Sequence, residues 1–110
     1  MADADIWITA TEYRRLALTI NSGSVGSITG VGMALRSNPN DVPDPTGTGM
    51  GEFIAVTLDP AGPDIVALIG PKAGQIVPAT PGDYQVFVLI RTLTEDIIRR
   101  PSVLTVLGMP

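Results

Sequence analysis

Few residues in this chain are able to do chemistry, and their spacing limits what they do. Histidine and cysteine are absent. That removes imidazole bases, Ser-His-Asp triads, thiol nucleophiles, zinc–thiolate sites and disulfides. Carboxylate and guanidinium groups remain. Asp59, Asp64 and Asp83 carry the groups of a glycoside-cleaving carboxylate pair. Each stands in a turn context, Asp59-Pro60, Pro63-Asp64 and Gly82-Asp83, and only 5% of the chain is aromatic and available to stack a sugar ring. Asn38, Asn40, Asp41 and Asp44 offer oxygens of the kind calcium takes, but without EF-hand spacing and with Pro39 and Pro43 between them. A solvated turn using Asx chemistry is the simpler reading. Gly47-Thr48-Gly49-Met50-Gly51 is glycine-rich, yet no helix follows and no Gly-Lys-Ser/Thr is present, so it does not read as a phosphate cradle. No cofactor and no metal is expected.

The other candidates are contact residues. Arg14-Arg15 and Arg99-Arg100 are the basic doublets, and Lys72 is the single lysine. With a net charge of −4 the chain lacks the basic patch that nucleic acid requires. Arg99 and Arg100 suit either ion pairs to a neighbouring subunit or solvated strand ends. Trp7 suits either the core or an interface, where tryptophan is a favoured anchor. The first strand is also able to extend a neighbour's sheet edge. The candidate interface residues are Trp7, Asn40, Asp41, Met50, Arg99 and Arg100.

The elements that must position these residues are strands. The 110 residues fit one domain over 1–110, with residues 1–4 read as a flexible N-terminus. Asp5 to Thr9, with Ile6 and Ile8 on one face, is the first strand. Arg15 to Ile20 alternates Leu16, Leu18 and Ile20 against Arg15, Ala17 and Thr19, and residues 10–14 read as a bend between the two. Asn21 to Ser24 is a turn. In Ser27 to Arg36, Val31, Met33 and Leu35 face inward, while Gly30 and Gly32 on the other face point to a close approach or a twist. Residues 37–51 form a long exposed loop with three Pro and three Gly. Strands follow at 52–58 and 64–69. Tyr84 to Arg91 is apolar on both faces after Gln85, which makes it central. The last strand, from Ile97 to Leu107, is interrupted at Pro101, which implies an edge or a bulge. No helical periodicity is present. About seven short strands predict an all-β, antiparallel sandwich without a disulfide.

Two strings carry a resemblance. Pro81-Gly82-Asp83-Tyr84-Gln85-Val86-Phe87-Val88 looks like the tyrosine corner of immunoglobulin-like sandwiches, in which the hydroxyl bonds back to the loop backbone. Ser27-Ile28-Thr29-Gly30-Val31-Gly32-Met33-Ala34-Leu35-Arg36, with Ile98-Arg99-Arg100-Pro101 closing a later hairpin, resembles small immunoglobulin-like domains of tailed-phage virions. The N-terminal domain of the phage baseplate upper protein family is the example. The order and rough spacing match over residues 14–107. Two features depart from that pattern: no Gly-Asp precedes the second strand, and Glu95-Asp96 stands where the hairpin is usually Gly-rich.

The resemblance implies an immunoglobulin-like fold and a non-enzymatic, multi-copy virion part that decorates a capsid or sits at the neck, tail or baseplate. Its partners would be other virion proteins, the capsid or tail scaffold, and further copies of itself, with no nucleic acid and no membrane. Composition agrees with packing against neighbours, since 16% charged residues is well below the roughly 25% of free-standing domains. The acidic opening Met1-Ala2-Asp3-Ala4-Asp5 does not read as a signal peptide, and no apolar run is longer than Ile65 to Ile69, far short of the about 20 residues of a membrane helix. The expected location is the virion, after synthesis in the host cytoplasm. A carbohydrate- or cell-surface-binding adhesion module is the alternative.

Overall fold

The structure, a computed structural model, describes residues 4–17, 28–59, 64–72 and 74–108. The continuation of the second strand to Ile20, the turn at Asn21 to Ser24 and the turn at Pro60 to Pro63 lie outside the described residues. Eight strands follow one another with no helix among the described residues: β1 (Ala4–Trp7), β2 (Glu12–Ala17), β3 (Ile28–Arg36), β4 (Ile54–Ala55), β5 (Thr57–Asp59), β6 (Asp64–Ile69), β7 (Gly82–Thr92) and β8 (Asp96–Leu107). They form a five-stranded sheet in the order β1-β8-β7-β3-β4 and a three-stranded sheet in the order β2-β6-β5. The two sheets pack as a sandwich.

Period-2 alternation explains the inner core. Val31 and Met33 of β3, Val86 and Val88 of β7, and Leu104 and Val106 of β8 meet Ile65, Ala67 and Ile69 of β6. Ile6 joins them from β1, with Ile8 packed at the margin. Each fully buried aliphatic side chain contributes about 1.5–3 kcal/mol.

Three features differ from the simple alternating picture. First, β1 runs parallel to β8, with Ala4 opposite Leu104 and Trp7 opposite Leu107, so the sandwich is not wholly antiparallel. The segment read as a bend crosses between sheets: Ala10 N–H donates to the Trp7 carbonyl at 2.9 Å, and β2 then pairs with β6. Second, residues 52–58 make two strands. β4 pairs with β3 in the large sheet and β5 with β6 in the small one, which raises the count to eight. Val56 lies between them, packs on the inner core and donates its N–H to the Val31 carbonyl at 3.1 Å. Third, β8 passes through Pro101 as a single strand. Val86 pairs with Ser102 and Val88 with Arg99, so three steps on β8 oppose two on β7. Proline has no N–H to give the ladder, and a bulge on the strand that borders β1 accommodates it.

Candidate functional site

β7 explains why one face of the molecule is unusual. Its odd residues Phe87 and Leu89 are fully buried, yet they point away from the inner core. An antiparallel sheet usually leaves one face to water. Here that outer face is apolar at β7 and must be covered.

Residues 37–53 supply the cover. They fold back as a strap over β3, β7 and β8. Most of the strap's residues are exposed on its far side, but Pro43 and Phe53 are buried. Met50 packs with Ala34, Phe53, Phe87 and Leu89. Its thioether lies over Gly30 and Gly32: a Cβ on Gly32 would stand 2.9 Å from Met50 Sδ and 3.0 Å from Phe53 Cβ, and one on Gly30 would stand 2.8 Å from Met50 Cε. The two glycines therefore make room for a side chain of the strap. Gly51 closes the strap at φ 62°, where a Cβ would collide with the carbonyls of Asp44 and Thr46.

Three arginines, one from each strand beneath, hold the strap. Arg36 of β3 pairs with Asp41 at 3.5 Å and Glu52 at 3.4 Å. Arg91 of β7 donates from Nη1 to the Gly49 carbonyl at 2.9 Å and from Nη2 to the Pro45 carbonyl at 3.1 Å. The Arg91 fork is oriented by Asp96, through Nε to Oδ1 at 2.8 Å and Nη2 to Oδ2 at 3.2 Å. This hydrogen bonding holds the Asp96 carboxyl below its ordinary pKa and raises that of Arg91. Arg100 of β8 donates to the Pro39 carbonyl at 3.1 Å. Within the strap, Asp44 Oδ1 accepts from the Thr46 backbone N–H and hydroxyl at 2.9 and 2.7 Å, which lowers its pKa. Asn38 Oδ1 accepts from Asn40 N–H at 2.9 Å. Asn38 and Asp44 thus turn their side-chain oxygens onto the loop's own donors, and Asp41 turns to Arg36.

Between the strap and β8 an open groove of about 400 Å3 remains, lined by Pro39, Asn40, Val42, Phe87, Ile98 and Arg100. Two of the residues singled out in the sequence, Asn40 and Arg100, meet there. Trp7 is 45% exposed, so it is not a core residue. Alternation with buried Ile6 sets it on the same outer face, next to Leu107. The other three lie elsewhere. Asp41 is paired with Arg36. Met50 is engaged within the strap's own packing. Arg99 is exposed opposite Val88 in the register, on the other side of β8 from Arg100, and contacts the Ile98 carbonyl at 3.2 Å. Sequence reading missed Arg36, Arg91, Val42, Phe87 and Ile98. The available signal was the outward apolar parity of Phe87 and Leu89, ending at a lone cation, Arg91.

The carboxylates do not form an acid–base pair in a cleft. Asp59 and Asp64 oppose each other across β5 and β6, and Arg15 Nη1 donates to both at 2.8 Å on the exposed face of the small sheet. These bonds, to Asp59 first, raise the Arg15 pKa. Asp83 accepts from the Thr105 hydroxyl at 2.7 Å. Among the described residues no group of three or more acidic side chains is placed to hold a metal ion. At the start of β7, the Tyr84 hydroxyl donates to the Thr80 carbonyl at 2.7 Å and tethers the 76–81 segment to the strand. Compared with protein-family models, curated proteins and solved structures, the chain matches none.

Proposed function

We propose that the chain is a non-enzymatic structural protein of a tailed-phage virion. In this reading it is an immunoglobulin-like sandwich, present in many copies that contact one another and a capsid or tail scaffold, with the outer face of its large sheet as a contact surface. The fold part is supported by connection order. β2-β6-β5 against β1-β8-β7-β3-β4 follows the arrangement of immunoglobulin sandwiches with an added strand beside the third. The Tyr84–Thr80 hydrogen bond is the tether those sandwiches carry, and Val86, two residues on, is buried where antibody domains place a cysteine. The virion part rests on the resemblance in residues 27–36, 81–88 and 98–101.

The observation that carries the docking role is the outer face itself. The large sheet presents an exposed tryptophan, an apolar groove and a guanidinium at the groove's rim. Aromatic residues and arginine are enriched in protein interfaces and lysine is depleted. The chain has six arginines and one lysine. The test is co-sedimentation of the purified chain with capsids and tails stripped of it. Binding that is lost in Trp7→Ala and Arg100→Glu supports the role, and a chain that binds neither particle overturns it.

A further inference from the structure

The outer face is stepped. The strap thickens one half of it, over Phe87 and Leu89. Among the described residues no strap covers the other half, with Gln85, Thr105 and Leu107. The groove opens at the strap's margin beside Ile98 and Arg100. Trp7 stands at the bare end, beside Leu107, about 20 Å away along β8. One face thus carries both a projecting aromatic side chain and a hollow able to receive one, at opposite ends.

A two-fold axis through the middle of such a face brings raised half against bare half, and each tryptophan to the other copy's groove. That is the geometry of an isologous contact, where residue i meets j and j meets i. Charge favours it too. Asp5 of β1 stands two residues before Trp7, whereas the groove is bordered by Arg100. We infer that the occupant of this face is a second copy of the chain, with Trp7 of each seated in the Pro39–Val42–Ile98 groove of the other. This rests on the reading of the outer face as a docking surface and names its partner.

The test uses the full chain over a concentration series. Sedimentation velocity should show the 11.5 kDa chain moving toward twice that mass. Trp7 is the single tryptophan, so its emission should shift to the blue over the same concentration range. Trp7→Ala and Val42→Lys should each weaken the dimer by at least about 30-fold. Val42 is 52% exposed, so its replacement spares the core, and far-UV circular dichroism checks that the fold is kept. The inference is overturned by a monomer at millimolar concentration. A dimer whose Trp7 emission does not shift, or one that Val42→Lys leaves as tight as before, also overturns it. The two proposals fail separately: a dimer that binds no particle defeats the virion reading alone, and a monomer that binds particles defeats only the self-contact.

Discussion

If Gly30 and Gly32 exist to admit Met50, enlarging Gly32 and shrinking Met50 must be coupled. Met50→Ala removes a half-buried thioether, which costs about 1.5 kcal/mol, below the 2–5 of a fully buried methionine. In Gly32→Ala the new Cβ is 2.9 Å from Met50 Sδ, 3.0 Å from Phe53 Cβ and 3.3 Å from the Ile54 carbonyl. The thioether is able to swing aside, but Phe53 Cβ moves only with the strap backbone. Overpacking of this kind costs about 1–3 kcal/mol, offset by up to about 1 kcal/mol from a stiffer unfolded chain. A net loss of about 1.5 kcal/mol is expected. In the double variant the sulfur contact is gone and only the Phe53 and Ile54 contacts remain. The double variant should therefore fall short of the summed losses by about 1 kcal/mol, within the usual range for touching residues. Urea unfolding followed by circular dichroism, with all four chains at equal m, measures the cycle. Losses that add to within about 0.4 kcal/mol, or a Gly32→Ala chain more stable than its parent, would refute the account of why the glycines are there.

Arg91→Ala should loosen the strap without unfolding the sandwich: hydrogen exchange at the Gly51 and Phe53 amides, bonded to Thr48 and Met50, should speed up while the β2–β6 amides keep their protection. Equal acceleration in both places would show that Arg91 supports the whole fold. Acid should act in the same region. Asp44 and Asp96 have folded pKa values below 3.8, so their contribution is complete above that value and is lost as the pH falls through it toward the folded values. Asp96→Asn should flatten the stability-against-pH curve below pH 3.8 and leave its slope at neutral pH unchanged. Tyr84→Phe removes the hydrogen bond to Thr80 and should lower stability by about 1 kcal/mol, or about 4 °C in Tm. A thermal scan with no shift would show water replacing that tether.

The strands were legible where one face is dry and the other wet, or where both are dry. β6 alternates as its burial does, β3 and β7 are each buried on both faces over four residues, and the both-sided apolarity of Phe87 to Leu89 correctly marked β7 as central. The irregularity at Pro101 was legible because a missing N–H has a local consequence. The parallel partner of β1 was not, since four residues carry no information about which distant edge they join. The division of residues 52–58 between sheets was also hidden, because Ile54, Val56 and Leu58 keep one unbroken alternation through the crossover although Ile54 is exposed and Val56 packs on the inner core. The strap was the largest omission. Its cohesion comes from single side chains matched across distance, Met50 to Gly30 and Gly32, and Arg91 to the Pro45 and Gly49 carbonyls. Composition along residues 37–51 records none of these. Of the interface candidates named from residue type, Asn40 and Arg100 line the groove, Trp7 is exposed on the same face, and Met50 lies in the strap's own packing.

The pairing of β1 with β8 sets a timetable. Ala4 and Leu104 are 100 positions apart (104 − 4). Ordering a segment against so remote a partner carries the largest loop-closure cost in the fold and comes late. While the chain is being made, β1 waits for an edge that does not exist until β8 has been added. Trp7 rides on that strand, so its place on the outer face is taken up only after the sheet beneath is whole. A chain that has β1 but not yet β8 carries Trp7 without the sheet edge that sets its direction.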